Sequence, residues 1–131
     1  MDGIQQFLSS KAFGVVGASK DRSKYGNRVL RMYGLRQLTV YPVHHAEKNI
    51  EGVDCLAKIA DLPKEVESLS VITPPPVTEK MVEQAIATGH IRNIWMQPGA
   101  ESDAAVENCK KHNINVIYGG PCILVTLGQN D

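Results

Sequence analysis

Five short apolar runs constrain this chain more than any other feature, because each closes on glycine, proline or a polar turn and leaves room for a helix before the next. Lys11-Ala-Phe-Gly-Val-Val-Gly17 is too brief for a helix and is β-branched near its end. It lacks strict polar alternation, as expected of a strand covered on both faces. The second run is Gln37 to Val43, stopped by Pro42 and a polar turn. The third is Leu69 to Thr73, the fourth Ile91 to Met96 and the fifth Asn115 to Tyr118.

Helical patterns separate these runs. Val29, Leu30 and Tyr33 recur at helical spacing over Tyr25 to Tyr33, with Gly34 expected as the C-cap. Pro76 is expected to open a helix with a buried stripe of Val77, Met81, Val82, Ala85 and Ile86, ended by Gly89. Ser102 to His112 turns Ala105, Val106 and Cys109 inward. Residues 1 to 10 read as a short amphipathic helix or arm, with Ile4, Phe7 and Leu8 covering one edge of the body. His44 to Gly52 reads as a loop leading to a short helix around Leu56 to Ala60, and Gly119-Gly120-Pro121 begins a terminal loop.

Strands alternating with helices imply right-handed crossovers and helices on both faces of a parallel sheet. The expected fold is therefore α/β, a three-layer Rossmann-like domain with strand order 3-2-1-4-5 and a ligand crevice between strands 1 and 4. At 131 residues, 43% of them hydrophobic, the chain suits one domain over residues 1–131 with its core at about 10–127. Cys55, Cys109 and Cys122 form no CxxC pair, and Asp2, Gly3 and Gln5 do not resemble the start of a secretory signal. A reduced, cytoplasmic setting is the expectation. The apolar runs are too short to span a bilayer, so no membrane association is expected.

Net charge is zero but unevenly spread, with eight Lys or Arg against three Asp or Glu in residues 1–48 and six against eleven afterwards. A local cationic region on a mildly acidic body suits a small anionic ligand better than a long nucleic acid. The first candidate site is Gly14-Val-Val-Gly17-Ala18-Ser19, where Gly17 lets backbone approach a ligand and the following helix offers free N–H groups to a phosphate. Ser19 adds a hydroxyl, and Gly26 allows close approach at the helix start. A tight turn common to α/β proteins would explain the same glycines, since neither GxGxxG nor GxxxxGK[ST] is complete. Lys20, Arg22, Lys24 and Arg28 cluster there, with Arg22 and Arg28 able to fork onto phosphate oxygens and Asn27 supplying a neutral donor. Arg28 on a solvated helix face is the alternative.

The second run leaves through Tyr41-Pro42-Val43-His44-His45, with Lys48 shortly after and no carboxylate before Glu47. An acid for free ribose hydroxyls is thus missing, and basic residues favour an extra phosphate on the ribose. His44 and His45 lack a third metal ligand at suitable spacing, leaving a phosphate or adenine contact or a solvated turn. Thr73 and Pro74 to Pro76 form a rigid rim for an adenine or a thin chain, or simply a stiff connection. After Trp95 and Met96, read as core, Gln97 and Gly99 are the ligand candidates, while Glu101 fits either acid–base work or the helix dipole. Cys122 beside a flexible turn is the cysteine singled out for function, against a buried small side chain. No catalytic constellation and no metal set emerges.

Val15-Val-Gly-Ala-Ser19, Tyr41-Pro42-Val43, Thr73-Pro-Pro75, Trp95-Met-Gln-Pro-Gly99 and Gly120-Pro-Cys122, in that order, resemble the small stand-alone CoA-binding protein family. That family is similar to the CoA-binding amino-terminal domain of succinyl-CoA synthetase α subunits and of NDP-forming acyl-CoA synthetases. The resemblance covers about residues 10 to 127 and implies that Gly17, Ala18 and Ser19 border the CoA diphosphate. It implies Pro42 and Val43 beside the nucleotide, and Lys48 or His44 at the ribose phosphate. Thr73 and Pro74 match the passage of pantetheine and adenylate, and Gln97 and Gly99 the contact region of strand 4.

Succinyl-CoA synthetase also needs a second domain with a phosphorylated histidine and a partner subunit. None of the four histidines here matches that position, so the resemblance implies binding of coenzyme A or a short acyl-CoA without ligase chemistry. Two other classes stay open: an NADPH-dependent oxidoreductase or dinucleotide sensor, and a redox adaptor thiolated by CoA at Cys122. Sheet edges and apolar helices leave room for a homodimer or a partner enzyme.

Overall fold

In the computed structural model, which describes residues 2–120 and 122–128, the chain opens with α1 (Gly3–Leu8), β1 (Ala12–Val16), α2 (Tyr25–Leu35) and β2 (Val40–Val43). An antiparallel hairpin of β3 (Asn49–Ile50) and β4 (Val53–Asp54) follows, then a 3-10 turn at Ile59–Asp61 and β5 (Val66–Val71). The remainder is α3 (Pro75–Thr88), β6 (Asn93–Met96), α4 (Asp103–Lys111), β7 (Asn115–Ile117) and α5 (Ile123–Gly128). Three local expectations change. The stretch 44–52 contains half of a hairpin, the helix around Leu56 to Ala60 shrinks to one 3-10 turn, and the chain after Cys122 is helical. Pro121 of the expected terminal loop lies outside the described residues.

The five apolar runs do form one parallel sheet, but in the order β2-β1-β5-β6-β7. The third run therefore lies inside, next to the first, and not outside the second as the expected 3-2-1-4-5 order required. Pro42 supplies the physical reason. Its carbonyl points to the outer side of β2 and accepts from the Leu56 N–H at 2.9 Å, so its missing N–H belongs to that same side. A strand flanked there by another full strand would lack a ladder donor, whereas an edge strand tolerates proline. Leu56 bridges Val43 and takes over the edge position, while proline-free β5 goes to the interior. The crevice accordingly moves to the divergence of β1 and β5.

Alternation on the strands divides the core. Ala12, Val16, Leu69, Val71, Ile94 and Met96 face α3 and α4, whereas Phe13, Val15 and Trp95 face α1, α2 and α5. On this second face Phe7 meets Trp95 edge-on with ring centroids 5.3 Å apart, and Tyr33 stacks on Phe13 at 5.0 Å. Ser68 and Ser70 are buried there too, and both are satisfied. Ser68 Oγ donates to the Phe7 carbonyl at 2.8 Å, and Ser70 shares a 2.8 Å hydrogen bond with the Tyr33 phenol. Burial pushes the Tyr33 phenol above its ordinary range.

Helix ends also differ from expectation. Gly34 is inside α2, and the left-handed position past the end falls to Gln37 at φ 60°. Leu38 N–H bonds the Tyr33 carbonyl and Gln37 N–H the Gly34 carbonyl, each at 3.0 Å, which closes a Schellman motif. In α3 the buried stripe is Thr78, Val82 and Ala85, so Val77 and Met81 are turned toward the crevice. Among the described residues no helix is long and apolar enough to cross a membrane.

Candidate functional site

Where β1 and β5 part, the carboxyl ends of the strands open into a cleft of about 760 Å³. Val16, Gly17 and Ala18 line it from β1, Val43, His44 and His45 from the β2 exit, and Thr73 from beyond β5. Ala57 to Ala60 form one wall, and Val77, Met81, Gln84 and Ala87 of α3 form the opposing one. Most of these groups are apolar, which suits a flat ring or a thin chain held by shape.

Two glycines set the geometry beneath the cleft. Gly17 has φ 94°, and a Cβ there would lie 2.0 Å from the Ile72 carbonyl oxygen. A Cβ on Gly26 would lie 2.0 Å from the Gly17 carbonyl oxygen. The close approach that Gly26 permits is thus between helix and strand backbone, the packing role of the last glycine in dinucleotide-type turns.

The connection from Ser19 to Lys24 is wound on itself. Ser19 Oγ accepts from Asp21 N at 3.1 Å, and the Asp21 carboxylate accepts from the Ser23 hydroxyl at 2.7 Å and Ser23 N at 3.0 Å. These Ser23 bonds hold the Asp21 carboxyl below its usual range. Asn27 is fully buried and its Nδ2 donates to Ser19 O at 2.9 Å and to Glu51 Oε2 at 3.0 Å. Arg31 in turn donates to Asn27 Oδ1 at 2.7 Å and to the Arg22 carbonyl at 3.2 Å. Asn27 is therefore spent on holding the loop.

Charge around the loop is already partly answered. Lys20 pairs with Glu47 at 3.1 Å and Arg22 with Glu51 at 3.3 Å, both acids coming from the hairpin region. Lys24, Arg28 and Lys48 are exposed and off the cleft lining, whereas Lys58 is on it. His44 Nδ1 accepts from Ala46 N at 3.0 Å and Glu47 N at 2.9 Å. The neutral ring therefore carries its proton on Nε2, a donor left for a ligand. His45 stacks on it with centroids 5.2 Å apart and planes 10° from parallel.

The far side is more closed. Thr73 Oγ1 bonds Thr78 Oγ1 at 2.7 Å, and the prolines at the start of α3 strip that helix end of N–H donors. Gln97 is completely buried, with Oε1 accepting from the Tyr25 phenol at 3.1 Å and Ile123 N at 2.9 Å. Its Nε2 has no partner among the described residues. Tyr25 also hydrogen-bonds Cys122 Sγ, and burial followed by that bond pushes the phenol above its ordinary range. Glu101 accepts from Gly99 N at 2.8 Å and Gly119 N at 3.3 Å, clipping two loops together.

Of the residues expected at the site, the cleft lining gathers Gly17, Ala18, Val43, His44 and Thr73. Ser19, Arg22, Lys24, Asn27 and Arg28 belong to the neighbouring loop and helix, and Pro42 and Pro74 to flanking backbone. Lys48, Gln97, Gly99 and Cys122 also lie off the lining. Sequence reasoning passed over Lys58, Met81 and Gln84. Lys58 stands alone before a buried Ile59 with no motif around it, but Met81 and Gln84 share one helical face with Val77.

A parallel α/β sheet with a cleft at the divergence of β1 and β5, over a glycine-tight first turn, defines a nucleotide-type binding fold. Residues 11–128 match the family of the CoA binding domain, and the chain belongs to that family. It is 26% identical over 81 residues to the ADP-forming acetate–CoA ligase I of Archaeoglobus fulgidus, spanning 62% of this chain and 12% of that protein. With the α subunit of ADP-forming acetate–CoA ligase II of Pyrococcus furiosus it shares 28% over 86 residues, 63% of this chain and 18% of the relative. The chain thus spans less than a fifth of either curated relative. Among solved structures, a conserved hypothetical protein of Pyrococcus furiosus superposes with a TM-score of 0.83 at 33% identity, covering 88% of this chain and 98% of that one. The dinucleotide-forming acetyl-coenzyme A synthetase 1 of Ca. Korarchaeum cryptofilum, in complex with phosphate and ADP, gives 0.76 at 25%, covering 92% of this chain and 27% of that one.

Proposed function

We propose that this chain holds coenzyme A or a short acyl-CoA in the cleft between β1 and β5, without ligase chemistry of its own. The observation that carries the reading is the coincidence of a family match over residues 11–128 with an apolar cleft whose floor is Gly17 and Ala18. The nucleotide lies over the β2 exit at Val43 and His44, the diphosphate over the loop beginning at Gly17, and Thr73 borders the passage of the rest.

Isothermal titration of the purified chain with coenzyme A and, separately, with NADPH tests this. Saturable binding of coenzyme A at micromolar concentration or below, with NADPH silent, is expected. Binding of NADPH alone would replace the reading with a dinucleotide sensor or oxidoreductase, and binding of neither would remove it.

A further inference from the structure

We infer that Lys58, assisted by His44, reads a phosphate carried on the ribose of the bound nucleotide, the 3′-phosphate when the ligand is coenzyme A; this rests on the function proposed above. Three facts converge on Lys58. It lines the cleft together with His44 and next to the buried Ile59, at the start of the 3-10 turn. Among the described residues it makes no ion pair, while Lys20 and Arg22 are held by Glu47 and Glu51. Lys48, the cation that sequence alone favours, sits at the root of the hairpin, where its carbonyl accepts from Cys55 N at 2.9 Å, and its side chain is off the lining.

The surrounding chemistry selects the ligand group. Val16, Val43, Ile59, Val77 and Met81 make the cleft apolar, so an anion entering it has few donors to meet. A lysine ammonium supplies a point charge for phosphate, and the His44 ring offers a neutral Nε2–H because its Nδ1 is occupied by two backbone N–H groups. A charged and a neutral donor on one apolar cleft match a phosphate attached beside a flat base. Free ribose hydroxyls would instead call for a carboxylate, and neither Glu47 nor Glu51 is on the lining.

Wild type, Lys58→Met and Lys48→Met, titrated with coenzyme A and with dephospho-coenzyme A, test the assignment. Methionine keeps the apolar stem, and Lys58 is exposed, so folding is not at stake. Lys58→Met should weaken coenzyme A about tenfold and leave dephospho-coenzyme A unchanged, the size of one charge-assisted contact. Lys48→Met should match wild type with both ligands. Equal effects of Lys58→Met on the two ligands, no effect on either, or a loss confined to Lys48→Met would each overturn the assignment. A wild type that binds both ligands equally would overturn the phosphate reading and leave the cofactor function standing, whereas a wild type that binds neither would remove both.

Discussion

Replacing Gly26 by alanine should destabilise the protein, whereas the same replacement at Gly34, further along the same helix, should stabilise it. An alanine in place of glycine within a helix gains roughly 0.5–1 kcal/mol from backbone entropy. At Gly34 an added Cβ meets nothing within 4 Å, so that gain is kept. At Gly26 the Cβ would lie 2.0 Å from Gly17 O, 3.0 Å from Gly17 C and 3.2 Å from Ala18 Cα. All three are backbone atoms that no rotamer change can move. Reaching an ordinary carbon contact of about 3.5 Å means parting helix and strand by over ~1 Å, along a seam that Val29, Leu30 and Tyr33 bury completely or nearly so. Overpacking of this kind costs about 3 kcal/mol, which exceeds the propensity gain by about 2 kcal/mol. For 131 residues the unfolding entropy makes that a fall of about 7 °C in Tm, against a rise of about 3 °C for Gly34→Ala. Thermal and urea melts of the two variants beside wild type decide the matter. Equal shifts, or a stabilised Gly26→Ala, would refute the claim that α2 rests directly on the backbone of the first turn.

Cys109 is fully buried and its thiol is pushed up to about 11 by burial. A thiol raised above its unfolded value supports the fold below the unfolded pKa of 9.0 and loses that support as pH climbs toward 11, so wild type should lose about 2 kcal/mol over that window relative to Cys109→Ala, read by urea melts at stepped pH. Asn27→Ala should cost about 2 kcal/mol by orphaning Ser19 O and Arg31, and trypsin should then cut after Lys20, Arg22 or Lys24 several-fold faster. Glu101→Ala should leave global stability within about 1 kcal/mol yet raise amide exchange at Gly99 and Gly119 about tenfold, because their common acceptor is gone; unchanged exchange would deny the clip.

Much of the fold was legible because it depends on local pattern. The five strand runs, the amphipathic α2 and α4, and the tight turn at Gly17 are written in periodicity and glycine placement. Strand order is a long-range property, and the expected order failed for want of one deduction that Pro42 permitted. A proline in the second run can sit only where no neighbour needs its N–H, which makes that run an edge. The hairpin at residues 49–54 was hidden because two-residue strands carry no period, and α5 because Gly119-Gly120-Pro121 just before it reads as the start of a terminal loop. At the site, glycines and the β2 exit could be located from motif order. Asn27 and Arg22 could not be told apart from ligand contacts, since Glu51, which occupies both, is remote in sequence. Lys58 was invisible for a different reason: it reaches the cleft lining through the short 3-10 turn, and no motif in the sequence announces that turn.

The closing of β2 by Pro42 and Leu56 also limits how copies or partners can meet. Parallel β-sheets often recruit further chains by adding a strand, yet on this margin the outward row offers a proline without a donor and a carbonyl already occupied by Leu56. A visiting strand would find no ladder to continue at the rim of the cleft. Any association on that flank would have to rely on side chains, because the backbone at Pro42 and Leu56 is already closed.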